Sequence, residues 1–323
     1  MNMKGRYRIV VKNSSVRYDF EIRRNITIIK GDSATGKTTL VDMIREYYEN
    51  GISSGIEITC DKVCAVVEGR DWKAVLDTMQ ERIIFIDEGN AFVRSTEFAK
   101  CVQQSDNYFV IVTREGLETL PYSVEEIYGI RESGKYATIK QTYNELYRIY
   151  GTKTLPGNVL PAKVLVEDSN AGYDFYCGLS QNKEWTVESA DGKSNIFGKL
   201  LESEEKGTVL VIADGAAFGA EMDRVMKLLD KKKNVVLYLP ESFEWLILKS
   251  DILNDKEVRE ILMDVSRYVD SSEYFSWERY FTTLLIEKTK GSYLQYTKKK
   301  INSSYLQEHI QKRICMQMEG IEL

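Results

Sequence analysis

The sequence predicts an α/β protein built on two sheets with a helical C-terminal region, and three observations predict it. A β-branched run, Ile26-Thr27-Ile28-Ile29, leads into the glycine stretch Gly31-Asp32-Ser33-Ala34-Thr35-Gly36-Lys37-Thr38, after which Leu40, Val41, Ile44, Tyr47 and Tyr48 recur at helical spacing. Further apolar runs end in polar residues: Ile83-Ile84-Phe85-Ile86 before Asp87-Glu88, and Tyr108-Phe109-Val110-Ile111-Val112 before Thr113-Arg114. Beyond residue 162, strand-like and helix-like segments alternate as βαβαβαβ, the pattern of a compact parallel sheet.

Each element follows from its own residues. Segments 7–12 and 16–22 are strand-like and separated by the turn signal Asn13-Ser14-Ser15, so a hairpin laid against the first domain is expected. Residues 56–59 and 63–67 read as short strands, and 71–79 as a helix with Asp71 near its start. Residues 123–143 read as a second hairpin turning at Glu132-Ser133-Gly134. Pro156-Gly157-Asn158-Val159-Leu160-Pro161 is the linker candidate, which gives domains at 1–150 and 162–249 joined by 151–161.

In the second domain Val164-Leu165-Val166 ends in Glu167-Asp168, Trp185-Thr186-Val187 in Glu188, the run 209–213 in Asp214-Gly215, and the run 235–239 in Pro240-Glu241. Helix-like segments at 172–179, 196–203 and 221–229 separate them. Open α/β sheets place their sites at such strand ends. From 250 to 323 the chain reads as helical and polar, with Tyr268, Tyr274, Phe275, Trp277, Tyr280, Phe281, Leu284 and Leu285 at core spacing.

The glycine stretch satisfies G-x-x-x-x-G-K-[ST] between a strand and a helix, where backbone N–H groups and the positive end of the helix converge on phosphate. A nucleoside triphosphate is the expected ligand, contacted by Gly31, Asp32, Ser33, Ala34, Thr35, Gly36, Lys37, Thr38 and Thr39. Lys37 would reach the β- and γ-phosphates and Thr38 would ligate Mg²⁺. Asp87 would hold the same ion through water, and Glu88 would orient the attacking water. Thr113 and Arg114 are candidates to sense the γ-phosphate from the next strand.

Composition narrows the classes. The chain has 323 residues, 43% of them hydrophobic and 11% aromatic, ample for two cores. Its 44 basic and 49 acidic residues give a formal charge of −5, which excludes a uniformly cationic nucleic-acid coat. Local basic features are the first 24 residues, Lys231-Lys232-Lys233 and Lys298-Lys299-Lys300; nucleic acid is weighed there against solvated surface. No run approaches the roughly 18 apolar residues of a membrane span, and MNMKGRYRIV lacks the apolar core of a signal peptide, so a cytoplasmic protein with no membrane partner is expected. Cys60 and Cys64 stand four apart with no second pair to complete a zinc set, and are read as reduced thiols. The single histidine, His309, lies in a lysine-rich segment with no nucleophile motif.

GDSATGKT, IIFIDE and VIVTR, in that order, resemble the core of P-loop ATPases with an added catalytic glutamate, as in AAA-type and related ATPases. The resemblance covers about residues 1 to 148 and implies ATP and Mg²⁺. A glutamine loop and an LSGG-like signature are missing. Residues 162 to 248 resemble the TOPRIM fold, through VLVED, VLVIADGAAFG and LPESFEWLIL, as joined to an ATPase in the overcoming-lysogenization-defect nucleases. That resemblance implies Glu167 as an acid/base or metal carboxylate, with Asp214 and Glu241 or Glu244 as Mg²⁺ ligands. Asp214-Gly215-Ala216 stands where TOPRIM enzymes carry Asp-x-Asp. Three functions are therefore in view: an ATPase that switches conformation or assembly, with the second domain as effector; an ATP-gated, metal-dependent nuclease of phage-defence type; and a nucleotide-dependent scaffold that docks a protein or a second copy.

Overall fold

The structure, a computed structural model, describes residues 3–31, 35–133, 141–150 and 158–323. Asp32, Ser33 and Ala34 of the glycine stretch, Gly134 of the expected turn, and linker residues 151–157 lie outside the described residues. The protein is α/β, with one large mixed sheet and one parallel sheet. It divides into two compact units, 1–151 with 264–275, and 152–263 with 276–323.

The first unit contains β1 (Tyr7–Lys12), β2 (Val16–Ile22), β3 (Ile26–Ile29), α1 (Lys37–Asn50), β4 (Glu57–Thr59), β5 (Cys64–Val66), α2 (Trp72–Leu76), β6 (Ile83–Ile86), α3 (Thr96–Gln104), β7 (Tyr108–Val112), β8 (Ile127–Glu132) and β9 (Thr142–Arg148). These strands form one nine-stranded sheet in the order β4-β1-β2-β9-β8-β3-β7-β6-β5. The expected parallel sheet with a hairpin beside it is corrected here. β1 and β2 are an antiparallel hairpin, and β2 pairs parallel with β9, which continues the same sheet. β8 and β9 run antiparallel because their connection is too short for the crossover that a parallel pair requires.

β4 and β5 lie at opposite ends of this order, yet only Cys60–Val63 separate them in sequence. Nine strands laid flat would span about 38 Å at about 4.8 Å per spacing, whereas that link reaches only about 17 Å. The sheet must therefore curl, and α1 fills the curl. Leu40, Val41 and Ile44 are fully buried in a core shared with Ile9 and Val11 from one arm and Phe85 and Val110 from the other. Each such side chain contributes about 1.5–3 kcal/mol. The helix that begins at the glycine stretch is thus held from both sides.

Two helices differ from expectation. The segment 71–79 is helical only over Trp72–Leu76, and Asp71 makes no side-chain cap. α3 has no counterpart among the predicted elements; Ser95 starts it, its hydroxyl accepting from the Phe98 N–H at 3.1 Å. Residues 264–275 complete this unit through backbone bonds such as Gly5 N–H to Ser266 C=O at 2.7 Å.

The second unit contains β10 (Lys163–Val166), α4 (Ala171–Leu179), β11 (Thr186–Ser189), α5 (Lys193–Glu202), β12 (Val209–Ile212), α6 (Met222–Leu229), β13 (Val235–Tyr238), α7 (Phe243–Lys249), α8 (Lys256–Met263), α9 (Trp277–Thr289) and α10 (Glu308–Cys315). All four strands are parallel in the order β11-β10-β12-β13. The chain leaves β10 toward one edge and returns to the other side at β12, so the strand order reverses between these two strands. Phe275, Trp277, Tyr280, Phe281, Leu284 and Leu285 of the aromatic cluster are buried, while Tyr268 is exposed. Among the described residues no helix is long and apolar enough to cross a membrane.

Candidate functional site

In the first unit β3 delivers the chain to the glycine stretch from the middle of the sheet. Gly36 sits at the start of α1 with φ +84°, a conformation that favours glycine. A Cβ there would come within 2.8 Å of the Tyr18 hydroxyl, which itself donates to the Gly36 carbonyl at 2.8 Å. Lys37 is buried and its Nζ donates to the Gly31 carbonyl and the Thr35 hydroxyl, both at 2.9 Å. Thr38 and Thr39 are exposed in the first turn of α1, where a helix leaves its N–H groups without intrahelical partners.

β7 lies between β3 and β6 and pairs parallel with both, Ile29 opposite Val112 and Ile86 opposite Ile111. The polar ends of the three strands are therefore neighbours. Asp87 is half-buried, and burial pushes its carboxyl up; the Glu88 N–H it accepts at 2.8 Å partly offsets this, while the Asp42 charge adds to the rise. Glu88 and Arg114 meet, Oε1 to Nε at 2.6 Å. Thr113 is buried, its hydroxyl accepting from the Glu115 N–H at 3.2 Å.

Sequence reasoning missed Tyr18 and Asp42. Asp42 follows the motif by one helical turn and pairs with Arg45, which also holds Glu68 at 2.8 Å. Its spacing from Thr38, one turn along the same face, was the available signal.

In the second unit Glu167 and Asp214 stand at the ends of β10 and β12, the reversal point where open α/β sheets bind ligands. The Glu167 Oε2 accepts the Asp214 N–H at 2.8 Å, and Asp214 Oδ1 accepts the Phe243 N–H at 3.2 Å. Gly215 is required beside them, because a Cβ would lie 2.5 Å from the Leu239 carbonyl oxygen. Both carboxylates line a small cavity of about 30 Å³ together with Glu244, Tyr296 and Lys298. Burial pushes Glu167 up to about 7, with Glu278 adding to the rise, and raises Asp214 strongly, helped by the charges of Glu278, Glu167 and Glu244.

Glu241, expected as a metal ligand, does not line this cavity; Glu244 does, buried, with its Oε1 accepting from the Tyr296 hydroxyl at 2.8 Å. Among the described residues no group of three His, Cys, Asp or Glu is arranged to hold a metal ion. The residues therefore do not fit the two-carboxylate-plus-Glu241 Mg²⁺ set that the TOPRIM resemblance implies.

Several of the basic residues are paired within the fold. Arg8 and Arg17 both hold Asp19, at 2.8 and 2.9 Å, and hydrogen bonds from Arg8 first and then Arg17 keep that carboxyl well below the usual range. Arg23 meets the buried Glu126 at 2.8 Å, and Arg6 meets Asp264 at 3.2 Å. Lys232 donates to the carbonyls of Leu200, Leu201 and Ser203 at the end of α5, and Lys298 pairs with Glu278. His309 is exposed on α10.

Comparison with models of protein families, with curated proteins and with solved structures finds no match. The functional reading rests on the residues themselves.

Proposed function

We propose that the first unit binds Mg²⁺-ATP and hydrolyses it, and that this turnover controls the second unit as an effector. The observation that carries the reading is the glycine stretch at the start of a doubly clamped helix, with the Glu88–Arg114 pair at the ends of the two neighbouring strands. Lys37 would exchange the Gly31 carbonyl and the Thr35 hydroxyl for the β- and γ-phosphate oxygens. Thr38 and Asp87 would hold Mg²⁺, which when bound offsets the charge of the phosphates. Glu88 would orient the attacking water and accept its proton as the oxygen bonds to the γ-phosphorus and ADP leaves. Arg114, by holding Glu88, fixes the direction in which that carboxylate points.

No observation favours the nuclease reading: among the described residues no group of three His, Cys, Asp or Glu is arranged to hold a metal ion. Titration of a fluorescent ATP analogue tests the binding step. The full chain should bind it in a Mg²⁺-dependent manner and Lys37→Ala should weaken it by about a hundredfold, on the order of 2.7 kcal/mol. Equal affinity in the two proteins would remove the proposal.

A further inference from the structure

The cavity of the second unit gathers Glu167 and Asp214 from strand ends and Glu244 from α7, and Glu278 of α9 stands close by. Four carboxyl groups this close need a compensating cation or protons. The resemblance implies Mg²⁺ for that role, but one oxygen on each of three of them is already engaged. One Glu167 oxygen takes the Asp214 N–H, one Asp214 oxygen takes the Phe243 N–H, and one Glu244 oxygen takes the Tyr296 hydroxyl. A hard divalent ion requires about six oxygen ligands in open geometry. With only one oxygen of each of these three left over, water would have to fill the remaining positions.

A cation is nevertheless present. Lys298 lines the same cavity and its ammonium pairs with Glu278. Its own backbone carbonyl accepts the Ala171 N–H at the start of α4, at 3.0 Å, which ties the lysine to a residue that lines the pocket. Burial pushes this ammonium toward deprotonation, but the charges of Glu244, Glu278 and Asp214 outweigh it and hold it protonated.

We propose that Lys298 is the resident cation of this pocket, standing where a divalent ion would otherwise gather Glu167, Asp214 and Glu244, so that the second unit works without a metal. The lysine is then an internal replacement for the ion, and its removal creates a metal site. This inference concerns the second unit alone and survives a failure of the ATPase reading.

The test is Mn²⁺ binding to the nucleotide-free full chain, followed by the electron paramagnetic resonance signal of free Mn²⁺, in an Asp87→Asn background that removes the other candidate carboxylate. The background protein should bind no Mn²⁺ below about 1 mM. Adding Lys298→Met should produce one site per chain at least about tenfold tighter, and adding Asp214→Asn to that should abolish it. Lys298→Arg, which keeps the charge, should bind no ion. If Lys298→Met does not fold metal-free, about 10 mM Mn²⁺ should restore its thermal transition, since an ion that binds only the folded state stabilises it. The proposal is overturned by Mn²⁺ binding that Asp214→Asn removes while Lys298 is present. A folded Lys298→Met protein with no gained site, or an unfolded one that Mn²⁺ does not restore, also overturns it.

Discussion

The Tyr18 hydroxyl donates to the Gly36 carbonyl at 2.8 Å, and the same oxygen occupies the space that a Cβ on Gly36 would need. A residue of β2, far from the loop in sequence, thereby sets the backbone at the first turn of α1. Gly36→Ala should lower stability by about 1–2 kcal/mol from the positive φ alone, and should weaken nucleotide binding at least about tenfold. Tyr18→Phe should cost about 1 kcal/mol through the lost hydrogen bond. In the Tyr18→Phe background Gly36→Ala should cost less than in wild type, because the clashing oxygen is gone. Denaturant melts of the four proteins measure that coupling, and strict additivity would show that the contact is not what excludes alanine.

Arg114 and Glu88 form a largely exposed pair, so its removal should hardly affect folding. Arg114→Ala is expected to change stability by less than about 1 kcal/mol, yet to lower ATP turnover about tenfold or more at unchanged nucleotide affinity. Thermal melts alongside steady-state hydrolysis separate the two effects. A large loss of stability with normal turnover per folded molecule would make Arg114 structural.

Cys60 and Cys64 flank the short link between the two edge strands, and the two thiols shift each other's ionisation. The Cys64 thiol lowers Cys60 to about 7, while Cys60 first and then burial raise Cys64. The thiolate is the nucleophile. Alkylation of Cys60 by iodoacetamide should therefore rise with pH through an inflection near 7, whereas Cys101, raised by burial, should react only at higher pH. Site-resolved mass spectrometry from about pH 5 to about pH 9, roughly two units either side of that inflection, reads this directly. Substituting Cys64→Ala, which removes the donor, should move the inflection upward.

What the sequence made legible was local chemistry with a short period. Ile83–Ile86 and Tyr108–Val112 are continuous apolar runs, and the structure makes each a fully buried strand. The alternation beyond residue 162 likewise became a parallel sheet, with Glu167 and Asp214 side by side at its reversal point. Illegible were relationships set by pairing at long range. Three residues of β4 cannot announce that they close one edge of a nine-stranded sheet whose other edge begins at Cys64. Lys298, first of three lysines, reads as solvated surface. Glu278, one residue into α9, turns it inward to acids that arrive from strands far earlier in the chain. Tyr18 escaped notice for the same reason, since its strand reaches the sheet centre only through β9 and β8.

The central claim is hydrolysis of ATP at the end of β6, and the most direct measurement is phosphate release by wild type and Glu88→Gln under saturating Mg²⁺-ATP. The amide keeps the size of the carboxylate but cannot take the proton of the attacking water. The account predicts that Glu88→Gln binds ATP within about threefold of wild type while its turnover falls at least about a hundredfold. Equal turnover in the two proteins would contradict it.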